Sequence, residues 1–263
     1  LPKDLGERHI QVNIADFSLS VVDAGQRVLA MPVIVGTAYR KTPVFSARMT
    51  YLELAPTWTV PPTILREDKL PAIKADPGYL ASKHFRILQR RDGEWLELDA
   101  SQIDWSKVSA RNFPGILRQD PGPWNPLGRI KFMFPNSFNV YLHDTNEPHL
   151  FANVRRSFSS GCIRVERPMD LALYLLKDDE KWNSRSLADA LQRITPMKVG
   201  IPEIPIHILY WTAWVDAEGT VQFRPDVYHR DIDLEIALSE PDYQVETHLE
   251  VAHDRDATEE GYL

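Results

Sequence analysis

Apolar and polar positions alternate through the first part of the chain. IQVNI (Ile10 to Ile14) and FSLSVV (Phe17 to Val22) place every second side chain on one face, and Asp23-Ala24-Gly25-Gln26 supplies turn chemistry between the second run and the next. VLAMPVIV (Val28 to Val35) is a near-continuous apolar run suited to a buried strand. Three strands are expected between His9 and Val35. Thr42-Pro43 marks a turn, and RMTYLELAPTWTVP (Arg48 to Pro61) reads as a strand pair or one long bent strand that ends at a rim, on Val60-Pro61-Pro62.

The texture changes from about residue 63. Thr63-Ile64-Leu65-Arg66 leads a helical pattern with Leu70 and Ile73 that Asp76-Pro77-Gly78 breaks. Phe85 to Leu88 and Trp95 to Leu98 flank Arg91-Asp92-Gly93 as a hairpin, and Asn112-Phe113-Pro114-Gly115 and Asp120-Pro121-Gly122-Pro123 punctuate the remainder. Such a segment is too structured for a linker and too rich in turns for a main core, which predicts an insertion folded over the sheet.

Two short strands are then expected, Ile130 to Phe134 and Val140 to Leu142, joined by Pro135 to Asn139; the second delivers His143. Glu166-Arg167-Pro168-Met169-Asp170 has the proline and acids of a helix start, followed by Leu171, Leu173, Tyr174, Leu175 and Leu176, so Cys162 is placed about one turn of chain ahead of a helix. Leu187, Ala190, Leu191 and Ile194 form a second helical stripe closed by Thr195-Pro196. Ile206 to Val215 and Thr220 to Phe223 flank Asp216 to Gly219 as a hairpin that would add strands to the sheet, and residues 241–263 read as an acidic, frayed tail. The pattern is that of an α+β, mainly β chain.

Composition narrows the functional classes. A length of 263 residues accommodates one large domain or two small ones, and 43% hydrophobic with 10% aromatic residues is ample for a core. A net charge of −7 and a pI near 5.6 lack the basic excess of a phosphate-binding surface, so nucleic acid is not an expected partner. No apolar run approaches the roughly 20 residues of a bilayer span, and Leu1-Pro2-Lys3-Asp4 lacks the apolar core of a signal peptide. The expectation is either a cytosolic protein or an exported one whose leader has been removed. A single cysteine excludes an intramolecular disulfide.

That cysteine carries the candidate chemistry. In Val140 to Val165, VYLHDTNEPHLFANVRRSFSSGCIRV, a strand-like run delivers His143 and the turn Ser159-Ser160-Gly161 delivers Cys162, with Arg164 two residues on. A thiolate needs an imidazole, a cation or a helix N-terminus to form, and Gly161 permits a tight turn that aims backbone N–H groups at one point, as an oxyanion hole requires. The competing reading is a small buried hydrophobe, the ordinary lot of a lone cysteine. A metal site built on His143, Asp144, Glu147 and His149 is disfavoured, because zinc-type spacing and a second cysteine are missing. Arg155-Arg156 is read as a solvated pair in preference to a carboxylate-binding one, and His207, His229 and His248 as structural or exposed.

His143-Asp144-Thr145 with Ser160-Gly161-Cys162-Ile163-Arg164-Val165 resembles the signature of the L,D-transpeptidases, the YkuD-type catalytic domain that cross-links peptidoglycan. Arg8 to Gly36, Thr42 to Phe45, Pro56 to Pro62, Pro121-Gly122-Pro123 and Asn125 to Phe132 are similar to the large, lidded Gram-negative subgroup called YcbB-like. The resemblance implies a YkuD-like mixed β-sheet sandwich with short helices and an inserted capping subdomain at about residues 66–128. All of 1–263 would be one catalytic domain, with a C-terminal extension at about 197–240 before the tail.

By the same resemblance Cys162 is the nucleophile, His143 the base, the Asp144 carbonyl the third member of the triad and Gly161 part of the nucleophile turn. Arg164, Ser160, Tyr141 and Trp58 are the expected substrate-binding residues. Ser160 departs from the many members that have histidine there, which leaves His143 as the base. Expected partners are peptidoglycan stem peptides, with carbapenem-type β-lactams as covalent inhibitors, no cofactor, no metal, a longer membrane-associated or exported parent protein and a periplasmic location. The alternatives are another thiol acyl-transferase or peptidase, sortase-like or an L,D-carboxypeptidase, and a non-catalytic wall-binding module.

Overall fold

The structure is a computed structural model that describes residues 4–76, 78–216 and 218–239. It divides into two compact units, Leu1–Trp211 and Thr212–Leu263. The first opens with β1 (Arg8–Asn13), β2 (Ser18–Asp23) and β3 (Gln26–Gly36), the three strands expected, followed by β4 (Phe45–Leu54). The β2–β3 turn is tight because Ala24 (φ 50°) and Gly25 (φ 75°) are both left-handed, the two-residue geometry whose twist matches the strands it joins.

The stretch up to residue 128 forms a subsidiary layer. It comprises β5 (Trp58–Thr59), α1 (Pro62–Ile64), a π-helical turn Leu65–Lys69, α2 (Leu70–Ala75), α3 (Tyr79–Ser82), β6 (Phe85–Arg91), β7 (Glu94–Glu97) and β8 (Ile116–Gln119). Its strands form their own four-stranded sheet in the order β5-β8-β6-β7. The hairpin expected at Asp92-Gly93 is present, again with two left-handed residues, whereas Pro77 lies outside the described residues. This layer has a core of its own: Trp58, Val60, Leu65, Ile73, Leu80, Phe85, Ile87, Leu117 and Leu127 pack together, and Tyr141 lies partly buried against them.

The chain then returns through β9 (Ile130–Met133), β10 (Leu142–His143), β11 (Ser157–Ser159), β12 (Ile163–Val165), α4 (Pro168–Leu175), α5 (Ser184–Gln192) and β13 (Met197–Leu209). The large sheet has nine strands in the order β11-β3-β12-β10-β9-β4-β13-β1-β2, and β3 also pairs with β2, so the ladder closes on itself. Closure is possible because β3 is long. Residues 26–32 pair with β2, Val33 and Ile34 with β12, and Val35 and Gly36 with β11. Parallel pairs (β1–β13, β10–β12, β11–β3) and antiparallel ones occur together, giving the mixed, mainly β architecture expected, with short helices. Ile10, Val12, Leu52, Phe132, Leu142, Ile163, Val165, Ile206 and Ile208 are fully or almost fully buried, each such side chain contributing roughly 1.5–3 kcal/mol.

The helix expected about one turn of chain after Cys162 is present as α4, beginning at Pro168; between them β-branched Ile163 and Val165 bury on one face around Arg164 and add a short strand. Two local expectations are corrected. Ile194 falls outside α5, which ends at Gln192, and is 70% exposed. The stretch expected to run as a strand from Ile206 to Val215 breaks after Leu209, and its first part, β13, is a central strand between β4 and β1. In the second unit β14 (Ala213–Val215) and β15 (Val221–Phe223) make the expected hairpin as a separate two-stranded sheet, followed by α6 (Asp231–Ser239). The acidic tail and His248 lie outside the described residues.

Candidate active site

Strands β10 and β12 run side by side in parallel, with Leu142 opposite Ile163 and His143 opposite Arg164. The Ile163 N–H donates to the Tyr141 carbonyl at 3.1 Å, which sets Tyr141 level with Cys162. Because side chains alternate faces, Leu142, Ile163 and Val165 bury inward, and Tyr141, His143, Cys162 and Arg164 share the other face. His143 stands one diagonal step from Cys162, a separation of about 7–8 Å between backbones that aromatic and long side chains span. Lys131 of β9, opposite His143, extends the same face, and its ammonium lies 4.4 Å from the Tyr141 ring centre and 3.3 Å from the Glu53 carboxylate.

The turn before Cys162 is held from within the fold. Gly161 adopts φ +116°, a conformation L side chains rarely take, and its N–H donates to the Ser159 hydroxyl at 3.1 Å. That hydroxyl donates to the Cys162 carbonyl at 2.5 Å. Thr42, fully buried, donates to the Gly161 carbonyl at 2.8 Å and accepts the Gly36 N–H at 2.9 Å, so one hydroxyl joins the end of β3 to the turn. The Cys162 thiol donates to the Asn139 carbonyl at an S···O distance of 3.8 Å.

His143 is 4% exposed, and its Nδ1 lies 2.5 Å from the Asp144 carbonyl. Burial and then the Arg164 charge push its pKa down to about 3, against the pull of the Asp144 and Pro126 carbonyls, so the ring is neutral at pH 7. Burial likewise pushes the Cys162 thiol up, while hydrogen bonds from the Tyr141 main chain and phenol and the Lys131 charge act in the opposite sense. The pair is therefore a thiol and a neutral imidazole at rest. The Asp144 carboxylate is raised by burial; its Oδ2 accepts the Arg129 N–H at 2.8 Å and its Oδ1 the Thr145 N–H at 2.7 Å. That carboxylate lies over Gly128 (φ +62°), where a Cβ would come within 2.4 Å of Asp144 Cγ.

The expected substrate-binding residues fare differently. Tyr141 lies beside Cys162. Arg164 is nearby, but its guanidinium is engaged with Glu147 at 2.7 Å and Thr145 at 3.5 Å. Ser160 is exposed, and its hydroxyl accepts from Arg40 at 2.8 Å. Trp58, 7% exposed, packs within the subsidiary layer, its ring centre 6.1 Å from that of Phe85, in the apolar cluster against which Tyr141 also packs. Thr42, Arg40, Lys131 and Gly128 were missed by sequence reasoning. Each lies far along the chain from Cys162, and only the glycine before Arg129 carried a readable signal.

The fold and site together define a class: a mixed-sheet protein carrying a glycine-turn thiol and a carbonyl-tethered histidine on adjacent parallel strands. Residues 7–195 match the YkuD family, the L,D-transpeptidase catalytic domain, and the chain belongs to that family. A Haemophilus influenzae protein to which L,D-transpeptidase identity is ascribed is 35% identical over 231 residues, covering 87% of this chain and 45% of its own length. Solved structures give shallower overlaps. An L,D-transpeptidase from Mycobacterium smegmatis is 14% identical with a TM-score of 0.35, covering 77% of this chain and 58% of its own. L,D-transpeptidase 3 from Mycobacterium tuberculosis, in complex with a faropenem-derived adduct, is 16% identical with a TM-score of 0.36, covering 77% and 60%. The chain thus spans less than half the length of the Haemophilus relative, and the family assignment rests on the match over residues 7–195.

Proposed function

We propose that this chain is the acyl-transfer domain of a peptidoglycan L,D-transpeptidase. The observation that carries the reading is Cys162 on a left-handed glycine turn, sharing one sheet face with a neutral His143 whose Nδ1 is tied to the Asp144 carbonyl. Cys162 Sγ attacks the carbonyl carbon of the diaminopimelate to D-alanine bond of a donor tetrapeptide stem. The thiol proton passes to His143, a C–S bond forms, the C–N bond breaks, and D-alanine departs with the proton from the imidazolium. An acceptor amine then attacks the thioester, giving up its proton through His143 to the departing sulfur, and a 3-3 cross-link results. The Asp144 and Pro126 carbonyls are the acceptors that would steady the transient imidazolium.

The layer between about residues 66 and 128 is assigned the role of a capping subdomain, which favours transfer over hydrolysis by excluding water and orienting the acceptor. Its separate sheet and its own apolar cluster support that role. The same reading makes a carbapenem-type β-lactam a covalent inhibitor at Cys162 and the periplasm the place of action.

The test is mass spectrometry of the chain with purified tetrapeptide stems. A thioester mapping to Cys162 and dimeric product in which the tripeptide acyl group is joined to a second stem are expected, and both are absent from Cys162→Ala. Acyl-enzyme formation by that variant would end this reading, and release of tripeptide without dimer would mark an L,D-carboxypeptidase.

A further inference from the structure

Arg40 lies in the connection between β3 and β4, outside every motif named above, and its guanidinium joins two parts of the fold. Nη1 donates to Ser160 Oγ at 2.8 Å and to Asp68 Oδ2 at 2.9 Å; Nη2 donates to Glu67 Oε2 at 2.6 Å and to Asp68 Oδ1 at 3.0 Å. All four Nη protons are thus used. Two of them form a planar fork on Asp68, a geometry lysine cannot reproduce. Ser160 is the residue two before Cys162, and Glu67 and Asp68 belong to the π-helical turn that follows α1 in the subsidiary layer. The Arg40 side chain is 20% exposed and that of Glu67 24%, so the group is partly shielded from solvent, and both acids are held below the usual carboxylate range chiefly by their arginine hydrogen bonds. The main chain of the same connection backs the turn: the Lys41 and Arg40 carbonyls lie 3.6 and 4.0 Å from where a Gly161 Cβ would stand.

We infer that Arg40 is a positioning residue that clamps the capping layer to the Ser159–Cys162 turn, so that the seating of the layer and the pose of the thiol are one coupled event. Asp68 takes the fork between Nη1 and Nη2, Ser160 accepts the second Nη1 bond and Glu67 the second Nη2 bond, so the turn and the layer meet on one guanidinium. An uncoupled layer would leave the thiol present but loosely aimed, with water able to reach the thioester. The inference rests on Cys162 being the nucleophile only in its consequence for transfer; the coupling itself is independent of any reaction.

The experiment therefore has two readouts. The first is the rate at which iodoacetamide alkylates Cys162 in wild type, Ser160→Ala, Asp68→Asn, the double variant and the same set in an Arg40→Met background. The two single changes should be non-additive by about tenfold, within the range seen for residues that share one hydrogen-bond and ion-pair network, and additive once Arg40 is gone. The second is amide hydrogen exchange, in which Asp68→Asn should raise exchange at residues 159–163 as well as at 65–70. Additive effects in the wild-type background, or faster exchange confined to 65–70, would overturn the clamp and leave a surface ion pair. Should Arg40→Met fail to fold, the Ser160 and Asp68 pair in the native background decides the matter alone. A chain that shows the coupling but makes no cross-link would keep the clamp and refute the proposed function, and the reverse result would do the opposite.

Discussion

Thr42→Val removes a hydroxyl that joins β3 to the thiol turn. Valine keeps the volume, so no cavity opens, but the Gly36 N–H loses an acceptor 2.9 Å away and the Gly161 carbonyl a donor 2.8 Å away, both at a residue with no solvent exposure. Leaving a buried polar group without its partner costs about 1–3 kcal/mol, and with some local relaxation the pair amounts to about 2–4 kcal/mol. For a unit of this size each kcal/mol lowers Tm by about 2–4 °C, so a fall of about 5–15 °C is expected by calorimetry. Thr42→Ser keeps the hydroxyl and loses one buried methyl, for about 1 kcal/mol. Iodoacetamide labelling of Cys162 should also change in the valine variant, because the Gly161 carbonyl is no longer held. Valine within about 0.5 kcal/mol of wild type, the range of an ordinary surface change, would refute the idea that this hydroxyl supports the turn.

Gly128→Ala would place a Cβ on the Asp144 carboxylate and strain a left-handed residue, so a loss of at least about 2 kcal/mol is expected in chemical denaturation, with transfer falling because the Asp144 carbonyl tethers His143. Alkylation of Cys162 followed from pH 5 to 10 should keep rising above the ordinary thiol range and show no histidine inflection near pH 6.5, since burial raises the thiol and lowers His143; a plateau beginning near pH 6 would indicate a preformed thiolate–imidazolium pair. For stability the unfolded chain binds a proton at His143 below about pH 6.5 and the folded chain only near pH 3, so this residue's contribution is present above pH 6.5 and is lost as pH falls toward 3; His143→Gln should flatten that part of the urea-derived profile. Arg164→Lys loses the guanidinium contacts to Glu147 and Thr145, so the loop after His143 should exchange amide protons faster and transfer should fall about tenfold while the fold survives; full activity would mean that charge alone suffices there.

Much of the framework was legible because its signals are local. Alternation over Ile10–Val22 and the paired left-handed positions at Ala24-Gly25 and Asp92-Gly93 depend on nearest neighbours, and the structure matches them. The turn around Gly161 was legible for the same reason. The environment of the thiol was not, since it is assembled across the sheet. Arg164, two residues from Cys162, looked like the nearby cation, yet its guanidinium serves Glu147, whereas Lys131 from another strand shares the face and acts on the thiol. The helix expected about one turn after Cys162 was legible, because Pro168 and Asp170 mark its start locally; the short strand Ile163–Val165 between them was not, because what makes it a strand is its pairing with β10 and β3 across the sheet. Trp58 illustrates the limit of reading an aromatic beside prolines, because an apolar cluster that gathers residues from Trp58 to Leu127 cannot be seen from either end alone.

The position of β13 governs how the molecule comes into being. The family match stops at residue 195, yet the strand that lies between β4 and β1 starts at Met197 and pairs Ile206 with Ile10. A ribosome or an export channel releases β1 and its hairpin partner β2 long before β13, the neighbour on its other side, exists, so the closed ladder must wait for nearly the whole unit, and contacts so distant along the chain slow folding. Until Leu209 arrives, β1 and β4 each present an open edge and the thiol sits in an unfinished sheet. A polypeptide cut at the family boundary would keep every residue of the His143 and Cys162 motifs and still be left with exposed strand edges, prone to self-association. Aggregation during synthesis is therefore the hazard this topology carries, and the passage of residues 197–209 is the moment at which it ends.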